Sequence, residues 1–185
     1  MAKLRTSASH PLQIAEVRAS PAHGRIGITF CPGKHDASAL TGGWARDLAA
    51  DLDAIRDWGA RLVITLVEPS ELTLLRVPQL GEEVQRRQMQ WLHLPIPDYH
   101  PPTAAFERRW ETEGRAIRQR LRQGDDLVVH CKGGLGRAGM IAARLLVELG
   151  VPPLEAIAQV RTARGRGAIE TQAQQAVVER ARPIE

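Results

Sequence analysis

Apolar and polar positions alternate between two rhythms along the chain. Residues 12–18 and 25–30 read as two short strands joined around Pro21 and Gly24. Over 45–58 the period lengthens to that of a helix. Leu48, Leu52, Ile55 and Trp58 share one face, and Gly59 supplies a stop. Residues 61–67 form a continuous apolar run suited to a buried strand. Pro69 and Ser70 open a short helix, a second is predicted over 81–89, and a strand over 91–96 ends at Pro97-Asp98. Thr103 is placed to cap a long helix with Phe106, Trp110, Ile117 and Leu121 inward, closed by Gly124. Residues 127–130 are a strand that feeds directly into a glycine-rich turn at 131–137. Helices follow over 138–149, 152–164 and 171–182. Residues 1–10 read as a loose N-terminal arm and 11–185 as one domain. Strands alternate with helices, so the expected fold class is α/β.

Composition narrows the picture only modestly. The chain has 185 residues, enough for one domain that buries its own core. The formal charge is +4, and Lys3, Lys34 and Lys132 are the only lysines; the rest of the positive charge is arginine. Such an excess favours anionic ligands without choosing among them. Two cysteines, Cys31 and Cys131, make no disulfide framework and no CxxC pair. The expectation is therefore a reduced, cytoplasmic setting with no metal and no cofactor, and Cys31 reads as a small core residue. No run of about 18 apolar residues is present, so no membrane span is expected. No stretch interleaves aromatic and basic residues, so no nucleic-acid site is evident.

The chemistry concentrates at His130-Cys131-Lys132-Gly133-Gly134-Leu135-Gly136-Arg137-Ala138. A cysteine six residues ahead of an arginine is weak evidence alone. Here a buried strand delivers the cysteine, glycines fill the loop and a helix starts at the arginine. Successive N–H groups in such a turn converge into an anion nest, and the following helix adds its positive end. Glycines permit the close approach this requires. Arg137 can hold two oxyanion oxygens in one fork, which a lysine cannot do. The same field favours the thiolate of Cys131, an activated nucleophile at the base of a phosphate cradle. Lys132 to Arg137 are thus the candidate phosphate-binding residues. The bland alternative is an inert core cysteine in a tight strand-to-helix turn. Strand alternation turns His130 to the opposite face from Cys131, where it fixes the loop backbone rather than acting as a base.

Gly134, Gly136 and Gly139 also satisfy the dinucleotide spacing G-x-G-x-x-G. That fingerprint needs a further strand ending in an acidic residue about twenty positions on. Residues 152–160 read as helix instead, so this alternative fails.

With these residues, the chain resembles the dual-specificity branch of the cysteine-dependent protein tyrosine phosphatase superfamily, and within it the kinase-associated phosphatase (cyclin-dependent kinase inhibitor 3) type. The likeness rests on His130-Cys131 with Arg137. It is extended by Glu71-Leu72, Arg76-Val77-Pro78, Pro95-Ile96-Pro97-Asp98, Arg164-Gly165, Gly167-Ala168-Ile169, Thr171 and Gln174. The resemblance implies a single-domain phosphatase-like fold, with a central, mostly parallel twisted sheet flanked by helices. The phosphate-binding loop then lies between a central strand and a helix. It implies a phosphocysteine on Cys131, Asp98 as general acid and then base, and phosphorylated protein or a small phosphate ester as substrate. It places Gln174 near the site as a water-orienting group, with a solvated helix residue as the alternative. Relatives carry Ser or Thr where this chain has Ala138, and that hydroxyl supports the leaving thiolate; its loss predicts slow breakdown of the phosphocysteine. Alternatives kept open are a phosphoprotein-binding module without turnover, a phosphoinositide or RNA 5′-phosphatase, and a sulfur-transfer or arsenate-reducing enzyme.

Overall fold

The computed structural model describes residues 4–39 and 42–185. A five-stranded sheet forms the centre. Its strands are β1 (Ala15–Val17), β2 (Ile26–Thr29), β5 (Leu62–Thr65), β6 (Gln90–His93) and β7 (Leu127–His130). They lie in the order β1-β2-β7-β5-β6, with only the edge pair β1–β2 antiparallel. Central β2, β5 and β7 are buried at every position and apolar except at their last residues, Thr29, Thr65 and His130, the signature of parallel strands covered on both faces. The remaining strands, β3 (His35–Asp36) and β4 (Trp44–Ala45), make a small separate ribbon.

Among the described residues, seven helices surround the sheet: α1 (Leu48–Trp58), α2 (Pro69–Leu74), α3 (Leu80–Arg86), α4 (Ala104–Arg122), α5 (Gly136–Glu148), α6 (Pro153–Arg164) and α7 (Gln172–Arg180). Helix α5 follows the glycine-rich loop directly. Every residue of it except Arg144 is buried, because it packs on β2 and β7 beneath and on α6 and α7 beside. Its N-terminus is thereby fixed at the carboxyl end of β7, where open parallel sheets present ligands.

The expected elements are all found, with shifted ends. Helix α1 begins at Leu48, three residues later than the periodicity suggested. Trp44 and Ala45 instead pair with β3, and Asp47 caps the helix by accepting the Ala50 N–H at 2.8 Å. The formal ladder of β6 ends at His93. Leu94 and Ile96 nevertheless donate to Thr65 and Leu66, while Pro95 and Pro97 have no N–H to offer. Thr103 caps α4 as expected, and Phe106, Trp110, Ile117 and Leu121 are buried. Residues 5–10, expected to hang loose, are tied down. Arg5 exchanges backbone bonds with Gly43 and Ala45, and the His10 carbonyl accepts from buried Arg46 at 2.8 Å. The ribbon β3–β4 is what the arm fastens to, and its two-residue strands were too short to leave a period in the sequence.

Candidate active site

The site grows from the end of β7. His130 and Cys131 are adjacent in an extended chain, so their side chains leave on opposite faces. His130 points into the sheet layer, level with Thr65 on the neighbouring strand. Trp91 Nε1–H donates to Thr65 Oγ1 at 2.8 Å, and Thr65 Oγ1 lies 2.7 Å from His130 Nε2. The other ring nitrogen, Nδ1, lies 3.3 Å from the Cys131 carbonyl oxygen, which can only accept. The network therefore assigns the proton to Nδ1 and leaves Nε2 to accept the Thr65 hydroxyl. Burial lowers the His130 pKa to about 4, so the imidazole is neutral. Its Nδ1–H thus faces the backbone at the start of the loop, away from the cleft.

Cys131 is buried at the floor of a cleft of about 270 Å³. The Gly134 N–H donates to its Sγ at 3.2 Å. The loop carbonyls are held outward. Lys132 O accepts from Cys31 N and Lys34 Nζ, both at 3.2 Å; Gly133 O accepts from Arg164 at 3.0 Å; and Leu135 O accepts from Gly139 and Ile169. Fixing the carbonyls outside is what turns an amide such as Gly134's toward the sulfur. Gly134 has φ +69°, and a Cβ there would meet the Thr29–Phe30 backbone at 2.5–2.6 Å. No residue with a side chain fits that position.

Arg137, the first-turn arginine of α5, is nearly fully buried. Its Nη1 and Nη2 donate to the two oxygens of Glu71 at 2.7 and 2.9 Å, and Nη1 also reaches the Ile96 carbonyl at 2.9 Å. Asp98 Oδ1 sits 3.0 Å from Nη2. The Nε–H is buried and has no partner among the described residues. An orphaned donor there is what an oxyanion would satisfy. Burial alone would lower the Arg137 pKa; the Glu71 hydrogen bonds and the charges of Cys131, Glu71 and Asp98 together outweigh it and raise it. For Glu71 burial works in the opposite direction, and Arg137 with the Glu68 N–H brings the carboxyl below its ordinary value.

Each candidate from the sequence can be placed. Cys131, Arg137, Asp98, Lys132, Gly133, Leu135 and Gly136 all line the one cleft, and Gly134 lies behind it against Cys131. Lys132 is half-exposed, 3.5 Å from Asp36. Ala138 is fully buried in the first turn of α5. Gln174 is no solvated helix residue. It is buried, accepts the Glu170 N–H at 3.0 Å, and donates to the His100 carbonyl at 3.3 Å, tying α7 to the loop that carries Asp98. Arg164 reaches the loop, donating to the Gly133 carbonyl. Arg76 is exposed on a left-handed backbone. Cys31 is core, its thiol pushed up by burial. Lys34 and Glu170 line the cleft without having been anticipated. Neither sits in a recognisable local motif, and only the folded chain brings them to the loop.

A parallel sheet that delivers a cysteine into a glycine loop, closed by a buried arginine, defines the cysteine-dependent phosphatase class. Residues 37–181 match the family described as Swiss Army Knife protein, DSP-PTPase phosphatase domain, and the chain belongs to that family. It is similar to cyclin-dependent kinase inhibitor 3 of Rattus norvegicus, 33% identical over 128 residues, which cover 68% of this chain and 59% of that protein. The corresponding protein of Sus scrofa is 34% identical over the same span. The match thus reaches less than two thirds of the length of these relatives. Among solved structures, kinase associated phosphatase with its catalytic-site cysteine changed to serine aligns with TM-score 0.77 and 27% identity, covering 91% of this chain and 92% of that one. Tk-PTP in its active form aligns with TM-score 0.64 and 30% identity, covering 85% and 91%.

Proposed function

We propose that this chain is a phosphoric monoester hydrolase that works through a phosphocysteine on Cys131, within a single catalytic domain spanning 11–185. The observation that carries this reading is the arrangement around Arg137. A buried guanidinium with an unpartnered Nε–H closes the same loop that seats Cys131, and Asp98 stands 3.0 Å from it.

The Cys131 thiolate attacks phosphorus, forming an S–P bond while the ester P–O bond breaks. Asp98, in its carboxylic acid form, gives its proton to the leaving oxygen. Water then attacks the phosphocysteine. Asp98 takes a proton from it, the S–P bond breaks, and thiolate and inorganic phosphate separate. Arg137 and the loop N–H groups hold the three phosphoryl oxygens throughout. Phosphate entering the loop takes over the Arg137 edge on which Asp98 rests, which frees Asp98 for the leaving group.

The substrate reading is a phosphorylated protein. Tyr99 is the one aromatic wall of the cleft among the described residues, which suits phosphoserine and phosphothreonine as well as phosphotyrosine. Lys34, Lys132 and Arg164 around the loop favour an anionic ligand. Two buried free thiols suit a reducing compartment such as the cytoplasm. No described helix is long and apolar enough to cross a membrane.

Hydrolysis of para-nitrophenyl phosphate without added metal tests the proposal on wild type, Cys131→Ser and Asp98→Asn. The expected result is activity that vanishes in Cys131→Ser and falls at least tenfold, on the order of general acid catalysis, in Asp98→Asn. Wild-type rates in Cys131→Ser overturn the nucleophile. An inactive wild type that binds phosphopeptide assigns a binding module instead.

A further inference from the structure

Glu170 is a cleft group without a role in the steps above. Its carboxylate lies against the start of α5, in the space a side chain at Gly136 would fill, together with Gln174 Oε1 at 2.9 Å. The carboxylate therefore packs directly on the Gly136 backbone at the rim of the cleft. Gly136 belongs to the proposed phosphate loop, and Glu170 lines the same cleft as Cys131 and Arg137, so its carboxylate and a bound phosphoryl oxygen would crowd the same corner of the cleft.

The placement is built, not incidental. Ile169, just before Glu170, is buried with φ +60°, a left-handed backbone that a β-branched residue adopts only under constraint. The constraint is visible. Arg161 holds the Ala168 and Ile169 carbonyls at 3.1 and 3.3 Å, the Ile169 N–H reaches Leu135 O, and Gln174 Oε1 takes the Glu170 N–H. Across the cleft the other carboxylate is delivered in the same manner: Asp98 is followed by Tyr99 at φ +60°. Gln174 Nε2 joins the two presenting segments through the His100 carbonyl.

We propose that the Glu170 carboxylate stands in for an oxyanion at the Gly136 end of the phosphate cleft, so that phosphate binds in competition with it. The proposal rests on the phosphate-loop reading of Cys131 to Arg137 but not on turnover.

The charged and polar groups facing Glu170 are Asp98 from the β6–α4 loop, Arg137 and the Gly136 N–H from α5, and Gln174 from α7. Burial first, and the Asp98 charge second, raise the pKa of Glu170 against the pull of Arg137 and Gly136. A raised carboxyl takes up its proton at a higher pH than an ordinary glutamate. Competition is therefore strong at neutral pH and fades as pH falls.

The test is calorimetric binding of inorganic phosphate to the full chain between pH 5 and pH 8, for wild type, Glu170→Gln and Glu170→Ala. Both variants are expected to bind phosphate about three- to tenfold more tightly than wild type at pH 7.5, the scale of one like charge removed from a partly exposed site. The gap should close toward pH 5. The same comparison in an Asp98→Asn background should keep the pH-dependent gap, which assigns it to Glu170. Equal affinities at neutral pH, a gap independent of pH, tightening in Glu170→Ala but not in Glu170→Gln, or no phosphate binding by any chain overturns the proposal. If the chains bind phosphate in this pattern and hydrolyse nothing, the competition stands and the phosphatase reading falls.

Discussion

Glu71 holds Arg137 through two parallel hydrogen bonds of 2.7 and 2.9 Å, one from each terminal nitrogen of the guanidinium. Glu71 is itself pinned, because the same Oε2 accepts the Glu68 N–H at 2.8 Å in a capping box at the start of α2. The chain thus borrows a helix start from beside β5 to aim an arginine at the start of α5. Removing the carboxylate leaves a buried guanidinium without its main counter-ion. Glu71→Ala should destabilise the fold by about 3–5 kcal/mol, the scale for breaking one side of a buried pair. Denaturant unfolding reads that effect. Glu71→Gln should fold better yet still lose hydrolytic efficiency, because one of its two contacts becomes donor against donor.

Gly134→Ala tests the loop backbone. The added Cβ would press on the Thr29–Phe30 backbone and occupy a φ of +69°. The expected outcome is loss of oxyanion binding together with a lowered melting temperature, both visible in a thermal shift with and without phosphate. Unchanged phosphate stabilisation would mean that the loop does not form the cradle described.

Ala138→Ser restores a hydroxyl beside the loop in the first turn of α5, where the chain now has a fully buried methyl group. A hydroxyl able to donate to the departing sulfur should speed breakdown of the phosphocysteine. Steady-state turnover on para-nitrophenyl phosphate should rise while the single-turnover burst changes less. Unchanged or slower turnover would show that release of Cys131 is not the slow step.

His130 gives a pH signature of folding. Burial lowers its pKa to about 4 in the folded state, against 6.5 for the free side chain. Between those values the unfolded chain binds the extra proton, so stability rises with pH across the window. The contribution is intact above 6.5 and is lost as pH falls to 4. His130→Asn keeps an N–H for the Cys131 carbonyl but cannot titrate. The melting-temperature gap between wild type and His130→Asn should therefore shrink, or reverse, on acidification through that window. A gap constant with pH would contradict a buried neutral imidazole.

Much of this was legible in the sequence because it is local. The run at 127–130, the glycines at 133, 134 and 136 and the arginine at 137 specify strand, turn and helix by short-range rules, and the structure joins them in that order. The face of His130 followed from strand alternation alone. What the sequence could not provide is what meets across the fold. Glu71 lies 66 residues from Arg137, and nothing in Glu71-Leu72 distinguishes a buried clamp from a helix cap. Gln174 read as readily as a surface residue, since its burial depends on α7 packing beside α5. Glu170 was invisible because its importance comes from a strained turn at Ile169, a conformation that propensity argues against.

The most direct test of the central claim is to catch the covalent intermediate. Wild type and Cys131→Ser are each mixed with para-nitrophenyl phosphate, quenched in acid during turnover, digested and analysed by mass spectrometry. The account predicts one phosphoryl group on the peptide containing Cys131 in the wild type and none in the variant. Turnover with an unmodified Cys131, or a phosphoryl group carried by another residue, would contradict it.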